Sequence, residues 1–241
     1  MTMDPEKLQR IERMGLGPVW QLRSRAETPM GNDADVFELP AGSITTDHDI
    51  SVLDWDALES SIRECTRCNL CHGRTHAVPG IGDRNASWLF VGEGPGHNED
   101  IQGEPFVGPA GKLLDNMLKA MQLTRGTDTY IANIVKCRAV DADGRDRPPS
   151  VAETAACRPY IQRQIDLIKP SVIIALGKTA ATSLLGLSEN TALGTLRGAA
   201  HAYRDIPVVV TYHPAYLLRK PEDKAKSWQD LCLARRLHNE R

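Results

Sequence analysis

Four cysteines, Cys65, Cys68, Cys137 and Cys157, are divided between an early Cys-x-x-Cys pair and two thiols far downstream. A Cys-x-x-Cys pair chelates a metal locally, but a split set makes one metal centre tie together two distant parts of a domain. Whatever lies between must therefore fold so that both ends meet. Between the pairs sits the glycine-rich run Gly92-Glu-Gly-Pro-Gly96, and Cys137 closes the apolar run Tyr130-Ile-Ala-Asn-Ile-Val-Lys-Cys137. Near the end comes His213-Pro-Ala-Tyr-Leu-Leu-Arg219. On ligand count alone, four thiolates suit zinc and an iron–sulfur cluster equally.

The intervening chain alternates strand-like and helix-like segments. Apolar runs at Trp88–Val91, Thr129–Val135, Val172–Leu176 and Val208–Tyr212 read as strands. Helical periodicity marks Trp55–Arg63, Pro109–Met121, Ser150–Ile168, Lys178–Leu185 and Lys226–Leu237, with Ser150 and Glu153 forming a capping-box pattern. Strands separated by helices predict a parallel sheet covered on both faces. In such sheets ligands bind beyond the carboxyl ends of the strands. The glycine run, Asn133 and His213 all fall at such ends.

Cysteines, glycine loop, asparagine strand and histidine loop, in that order, resemble the family 4 uracil-DNA glycosylases over roughly Glu64 to Arg236. The resemblance implies a three-layer α/β/α sandwich around a central four-stranded parallel sheet. It also implies a [4Fe–4S] cluster on Cys65, Cys68, Cys137 and Cys157. Cys71 is then a spare thiol near the cluster, and Cys232 a small core residue. The implied reaction is hydrolysis of the N-glycosidic bond of uracil in DNA without a covalent protein–DNA intermediate.

Such a reaction needs an extruded base, stabilisation of the departing uracil anion and a positioned water. His213 is the candidate donor to uracil O2. Asn133 offers an acceptor for uracil N3–H and a donor for O4, the reverse of what cytosine requires. Phe106, within Gly103-Glu-Pro-Phe-Val-Gly108, is expected to stack on the base. The resemblance places Glu93 among the catalytic residues. It puts Gly94 and Gly96 where better-known uracil glycosylases carry a water-activating aspartate and a methyl-excluding tyrosine, and it sets Glu99 beside uracil C5. The loop after the third cysteine is longer here and carries Asp146 at the family's asparagine position. Asp146 there either orients water or is an ordinary loop acid. DNA contact is expected from Arg219, Lys220, Arg138, Arg145 and Arg147, with Leu217 or Leu218 wedging into the base stack. Relatives that trap DNA covalently use a histidine in the loop Arg138–Pro149, which holds none here. A non-enzymatic Fe–S DNA-binding or replication-associated protein of the same fold is the second reading.

Charge divided along the chain permits contact with nucleic acid without demanding it, solvated faces being the alternative. The 241-residue chain has a net charge of −2, but Gly31–Glu64 holds nine acidic residues against one basic, and the sequence from Cys65 onward is mildly basic. Residues 26–52 read as a flexible acidic linker, residues 53–241 as the glycosylase domain, and residues 1–25 as a partner-docking peptide. Within that peptide, residues 8–23 resemble the N-terminal peptide of a bacterial clamp-loader psi subunit, which implies a replication partner. No apolar run is long enough to span a membrane, and no signal-peptide core is evident, so a cytoplasmic monomer is expected.

Overall fold

The computed structural model describes residues 49–240. The docking peptide and most of the acidic linker therefore lie outside the described residues. At the end of the stretch expected as linker, Asp49 caps a 3-10 turn, Ile50–Val52, whose Ile50 is buried in the core. Its neighbour in sequence is helix α1, Trp55–Arg63, where Asp54 accepts from the Ala57 N–H at 2.9 Å and Leu58 and Ile62 turn inward one helical turn apart.

A six-stranded mixed sheet organises the domain, in the order β1-β3-β2-β4-β6-β5. Strands β2 (Trp88–Gly92), β3 (Thr129–Asn133), β4 (Val172–Leu176) and β6 (Ile206–Thr211) pair in parallel. Two strands missing from the sequence reading flank them antiparallel: β1, Ile81–Gly82, and β5, Ala200–Tyr203. The expected four-stranded sheet is therefore corrected to six. The reason is local. β1 is two residues long, and β5 is a half-exposed edge of small and polar residues with no apolar run to mark it.

Every residue of β2, β3 and β4 is buried, as expected of strands covered on both sides. Alternation divides their side chains. Leu89, Val91, Ile173, Ala175, Val208 and Val210 join one apolar cluster, whereas Trp88, Phe90, Val172, Ile174, Leu176 and Val209 join another. The first is completed by α1, by α4 (Val151–Ile168) and by α5 (Lys178–Leu185); the second by α3 (Pro109–Ala120) and α8 (Lys224–Asn239). Helices thus cover both faces. Two short helices escaped the sequence reading: α2, His97–Gln102, and α7, Pro214–Arg219, the second replacing the expected histidine loop. A third, α6 (Leu193–Leu196), precedes β5. Among the described residues, no helix is long and apolar enough to cross a membrane.

The chain passes from β2 to β3 on one side and then returns to place β4 on the other side of β2. That reversal opens a crevice beyond the carboxyl end of β2, where the glycine run begins.

Candidate active site

Three strand ends meet at this crevice. Gly92 and Asn133 form the last register pair between β2 and β3, and His213 caps the helix that follows β6. Around them is a cavity of about 210 Å³, lined among others by Glu93, Gly94, Gly96, Glu99 and Phe106. Asn133, Asp146 and His213 complete the predicted set on its wall.

Asn133 is 2% exposed, and its Oδ1 has no hydrogen-bond partner among the described residues. A buried amide oxygen left unpaired is costly unless a ligand supplies the donor. Its position is fixed sterically. A Cβ on Gly92 would approach Asn133 Oδ1 to 2.4 Å and the Phe106 ring to 2.6 Å, so only glycine at 92 admits both groups. Phe106 itself has φ 56°, in the left-handed region, which costs a non-glycine residue about 1 kcal/mol or more. Arg125 holds that conformation by donating from its guanidinium to the Pro105 and Phe106 carbonyls, each at 2.9 Å. Gly111 lies directly beneath, where a Cβ would sit 1.7 Å from the Phe106 carbonyl oxygen. Neither Arg125 nor Gly111 was identified from sequence. A glycine inside the helical pattern of α3 was the available signal for the second.

His213 faces Phe106, with ring centroids 5.5 Å apart and planes inclined by 30°. The Ala215 N–H donates to its Nδ1 at 3.2 Å, so the proton of the neutral ring resides on Nε2. Burial, aided by the nearby Arg219 charge and opposed by Glu99, lowers the imidazole to about 4. The ring is therefore uncharged at neutral pH and retains one N–H donor. Gly177, with φ +92°, lets the β4–α5 turn pass within 3.0 Å of the His213 Cβ as measured from its own would-be Cβ.

Two carboxylates converge on Gly96, whose would-be Cβ lies 3.0 Å from Glu99 Oε2 and 3.6 Å from Asp146 Oδ2. Glu99 is held by the Val107 and Gly108 N–H groups, at 2.9 and 3.0 Å on Oε1. Asp146 accepts from Arg138 Nε at 2.6 Å, and Glu93 accepts from the Thr179 hydroxyl. Glycine at 96 thus leaves room that Glu99 and Asp146 occupy, whereas the space beside Gly94 is filled by Val135.

The residues expected to contact DNA differ in exposure and in their partners within the protein. Arg138 is occupied by Asp146 and the Gly144 carbonyl, and Arg147 by Glu153 and the Val140 and Pro148 carbonyls. Both arginines therefore shape the Arg138–Pro149 loop, and of the three only Arg145 is strongly exposed, beside Asp143. Leu217 is buried, 1% exposed, because a single helical turn points it inward, whereas Leu218 is 45% exposed. Arg219 and Lys220 are exposed.

Cys65, Cys68, Cys71, Cys137 and Cys157 line one small cavity, and none is in a disulfide. Among the described residues, no three His, Cys, Asp or Glu side chains are arranged to hold a single metal ion. Donors nonetheless surround the sulfurs. Arg74 Nη1 reaches Cys137 Sγ at 3.0 Å, the Lys136 N–H reaches Cys157 Sγ at 3.3 Å, and the Arg67 N–H reaches Cys65 Sγ at 3.5 Å. Burial pushes the Cys157 thiol up to about 12, so a metal bound there displaces a proton. Arg74 was not identified from sequence.

The cavity wall thus presents an aromatic ring, one buried unpaired acceptor and one neutral imidazole. A family model described as the uracil DNA glycosylase superfamily matches residues 79–232. The type-4 uracil-DNA glycosylase of Archaeoglobus fulgidus is 39% identical over 176 residues, covering 69% of this chain and 86% of the relative. That of Pyrobaculum aerophilum is 39% identical over 187 residues, 75% of this chain and 93% of the relative. That of Saccharolobus solfataricus is 40% identical over 173 residues, 69% and 78%. The chain belongs to the uracil DNA glycosylase superfamily, and within it to the type-4 group.

Proposed function

We propose that this protein is a monofunctional DNA-repair glycosylase that hydrolyses the N-glycosidic bond of uracil in DNA, leaving an abasic site. The observation that carries the reading is the unpaired, buried Oδ1 of Asn133 in the same cavity as the neutral imidazole of His213. Uracil N3–H supplies the missing donor to Asn133, and cytosine, with an acceptor at N3, leaves it unpaired. Phe106 stacks on the flipped ring. As the glycosidic bond lengthens, negative charge gathers on uracil O2, and the His213 N–H stabilises it without needing to become charged. Glu99, locked by two backbone donors, blocks the side of C5 and so disfavours the methyl group of thymine. Water is positioned by Asp146 or Glu93, both on the cavity wall.

Among the described residues no lysine lines the cavity, which supports the monofunctional reading, since a lyase that forms a Schiff base needs an amine there. Leu218 serves as the wedge that fills the vacated stack, with Arg219 and Lys220 on flanking phosphates. Cys65, Cys68, Cys137 and Cys157 hold a [4Fe–4S] cluster. The donor set fits it: thiols alone as candidate ligands around the cavity, with a guanidinium and backbone N–H groups directed at the sulfurs. The cluster supplies a crosslink between the Cys65–Cys71 segment, the end of β3 and α4.

Incubation with a uracil-containing oligonucleotide, followed by alkali, should cut the strand at uracil and leave thymine- and cytosine-containing controls intact. Binding without cleavage would favour the non-enzymatic reading instead.

A further inference from the structure

Lys136 is 1% exposed, yet its Nζ is directed at two neutral oxygens: the backbone carbonyl of Asn133 at 2.8 Å and Gln164 Oε1 at 2.6 Å. Gln164 is wholly buried on α4, and its Nε2 donates to the Pro79 carbonyl at 2.9 Å and to the Tyr130 hydroxyl at 3.4 Å. The main chain of Lys136 is equally constrained, its N–H on Cys157 Sγ at 3.3 Å and its carbonyl accepting from the Val78 N–H at 2.7 Å. Burying an ammonium is unfavourable, and an aliphatic residue of similar size would fill the space without that cost. Packing therefore does not account for a lysine here. The target of its donor does.

Asn133 is the last residue of β3, and past it the chain is pinned to β2 and its loop by the Ile134 N–H on the Gly92 carbonyl and the Val135 N–H on the Glu93 carbonyl. The peptide plane between Asn133 and Ile134 is thus held on its N–H side by β2. Lys136 holds the same plane on its carbonyl side. With both sides bonded, ψ of Asn133 is fixed, and the close approach of Gly92 then fixes the amide itself.

We propose that Lys136 is a positioning residue for uracil discrimination, which aims the Asn133 amide by tethering its peptide plane. Because the same residue is bonded to Cys157 and Gln164, it also couples the thiol-bearing segment to the base-reading amide. The proposal rests on the reading of Asn133 as the group that recognises uracil.

The test is Lys136→Met in the full-length, iron-loaded protein, with iron content measured alongside. Single-turnover excision of uracil should fall about 10- to 100-fold, the scale of a misaimed contact. Inhibition by free uracil should weaken in parallel. Affinity for a duplex bearing a tetrahydrofuran abasic analogue, which has no base to read, should be unchanged. In an Asn133→Ala background the lysine substitution should make no further difference. Fully additive losses, or an equal loss of affinity for the abasic duplex, would overturn the proposal. If Asn133→Ala itself excises uracil as the wild type does, the reading of Asn133 fails. A loss in Asn133→Ala with none in Lys136→Met defeats only the positioning role. Should Lys136→Met not fold, Gln164→Met removes the anchor of the ammonium and should show the same selective loss at smaller size. Unchanged selectivity for uracil over the abasic duplex in that variant is also refuting.

Discussion

His213 performs two separable tasks, and two substitutions distinguish them. Its Nδ1 accepts from the Ala215 N–H and so caps α7, while its ring, with the proton on Nε2, lines the pocket. Replacing it with alanine removes both. Loss of a single preorganised donor to a developing anion should cost about 3–4 kcal/mol, or 10²–10³ in single-turnover rate. Loss of the cap should cost a further ~1 kcal/mol of folding stability. Asparagine is a good N-cap, so His213→Asn should retain stability while still losing most of the rate, because its shorter side chain cannot reach uracil O2. Acidity provides an independent check. With the imidazole lowered to about 4, the ring is neutral in the folded protein wherever the pH exceeds roughly 5. The unfolded chain binds that proton near pH 6.5, so stability is full above that value and falls as pH drops from 6.5 toward 4. The wild-type rate should accordingly show no inflection attributable to His213 between pH 5 and 8, and nitrogen NMR of labelled histidine should report the Nε2–H tautomer throughout. Wild-type excision by His213→Asn, or a rate inflection near pH 6.5 that disappears in that variant, would refute this account.

Other expectations follow from the same geometry. Cys137→Ala or Cys157→Ala should lose iron and the broad visible absorption of a cluster, whereas Cys71→Ala should keep both; stoichiometric zinc in anaerobically prepared protein would refute the cluster. Asp146→Ala should lower the single-turnover rate and remove the acidic limb of the pH profile if Asp146 serves the water, with uracil-DNA affinity nearly intact. An unchanged rate with tighter DNA binding at low salt would instead make it a loop acid that neutralises Arg138. Leu217→Ala should destabilise the fold by about 2–5 kcal/mol in denaturant unfolding, whereas Leu218→Ala should leave stability intact and slow excision from duplex DNA.

The sequence alone determined the elements with strong local signals. Four apolar strands, the capped helix begun by Ser150 and the order of cysteine, glycine, asparagine and histidine motifs were legible because each depends on near neighbours. Edge strand β5 was not, since its pairing depends on β6 rather than on its own composition. Nor could sequence decide which leucine of a single helical turn points inward, because both occupy the same motif and only packing separates Leu217 from Leu218. Arginines 138 and 147 are read from sequence as DNA contacts, and only the folded chain shows that Asp146 of the same loop and Glu153 of α4 are bonded to them. Asn133, Phe106 and His213 were identifiable with the roles the resemblance implies, but the surroundings that shape them were not. The orphaned amide oxygen, the left-handed Phe106 held by Arg125 and the depressed pKa of His213 arise from burial and from partners farther along the chain, and even the His213 tautomer, set by the nearby Ala215 N–H, appears only once the helix it caps has formed.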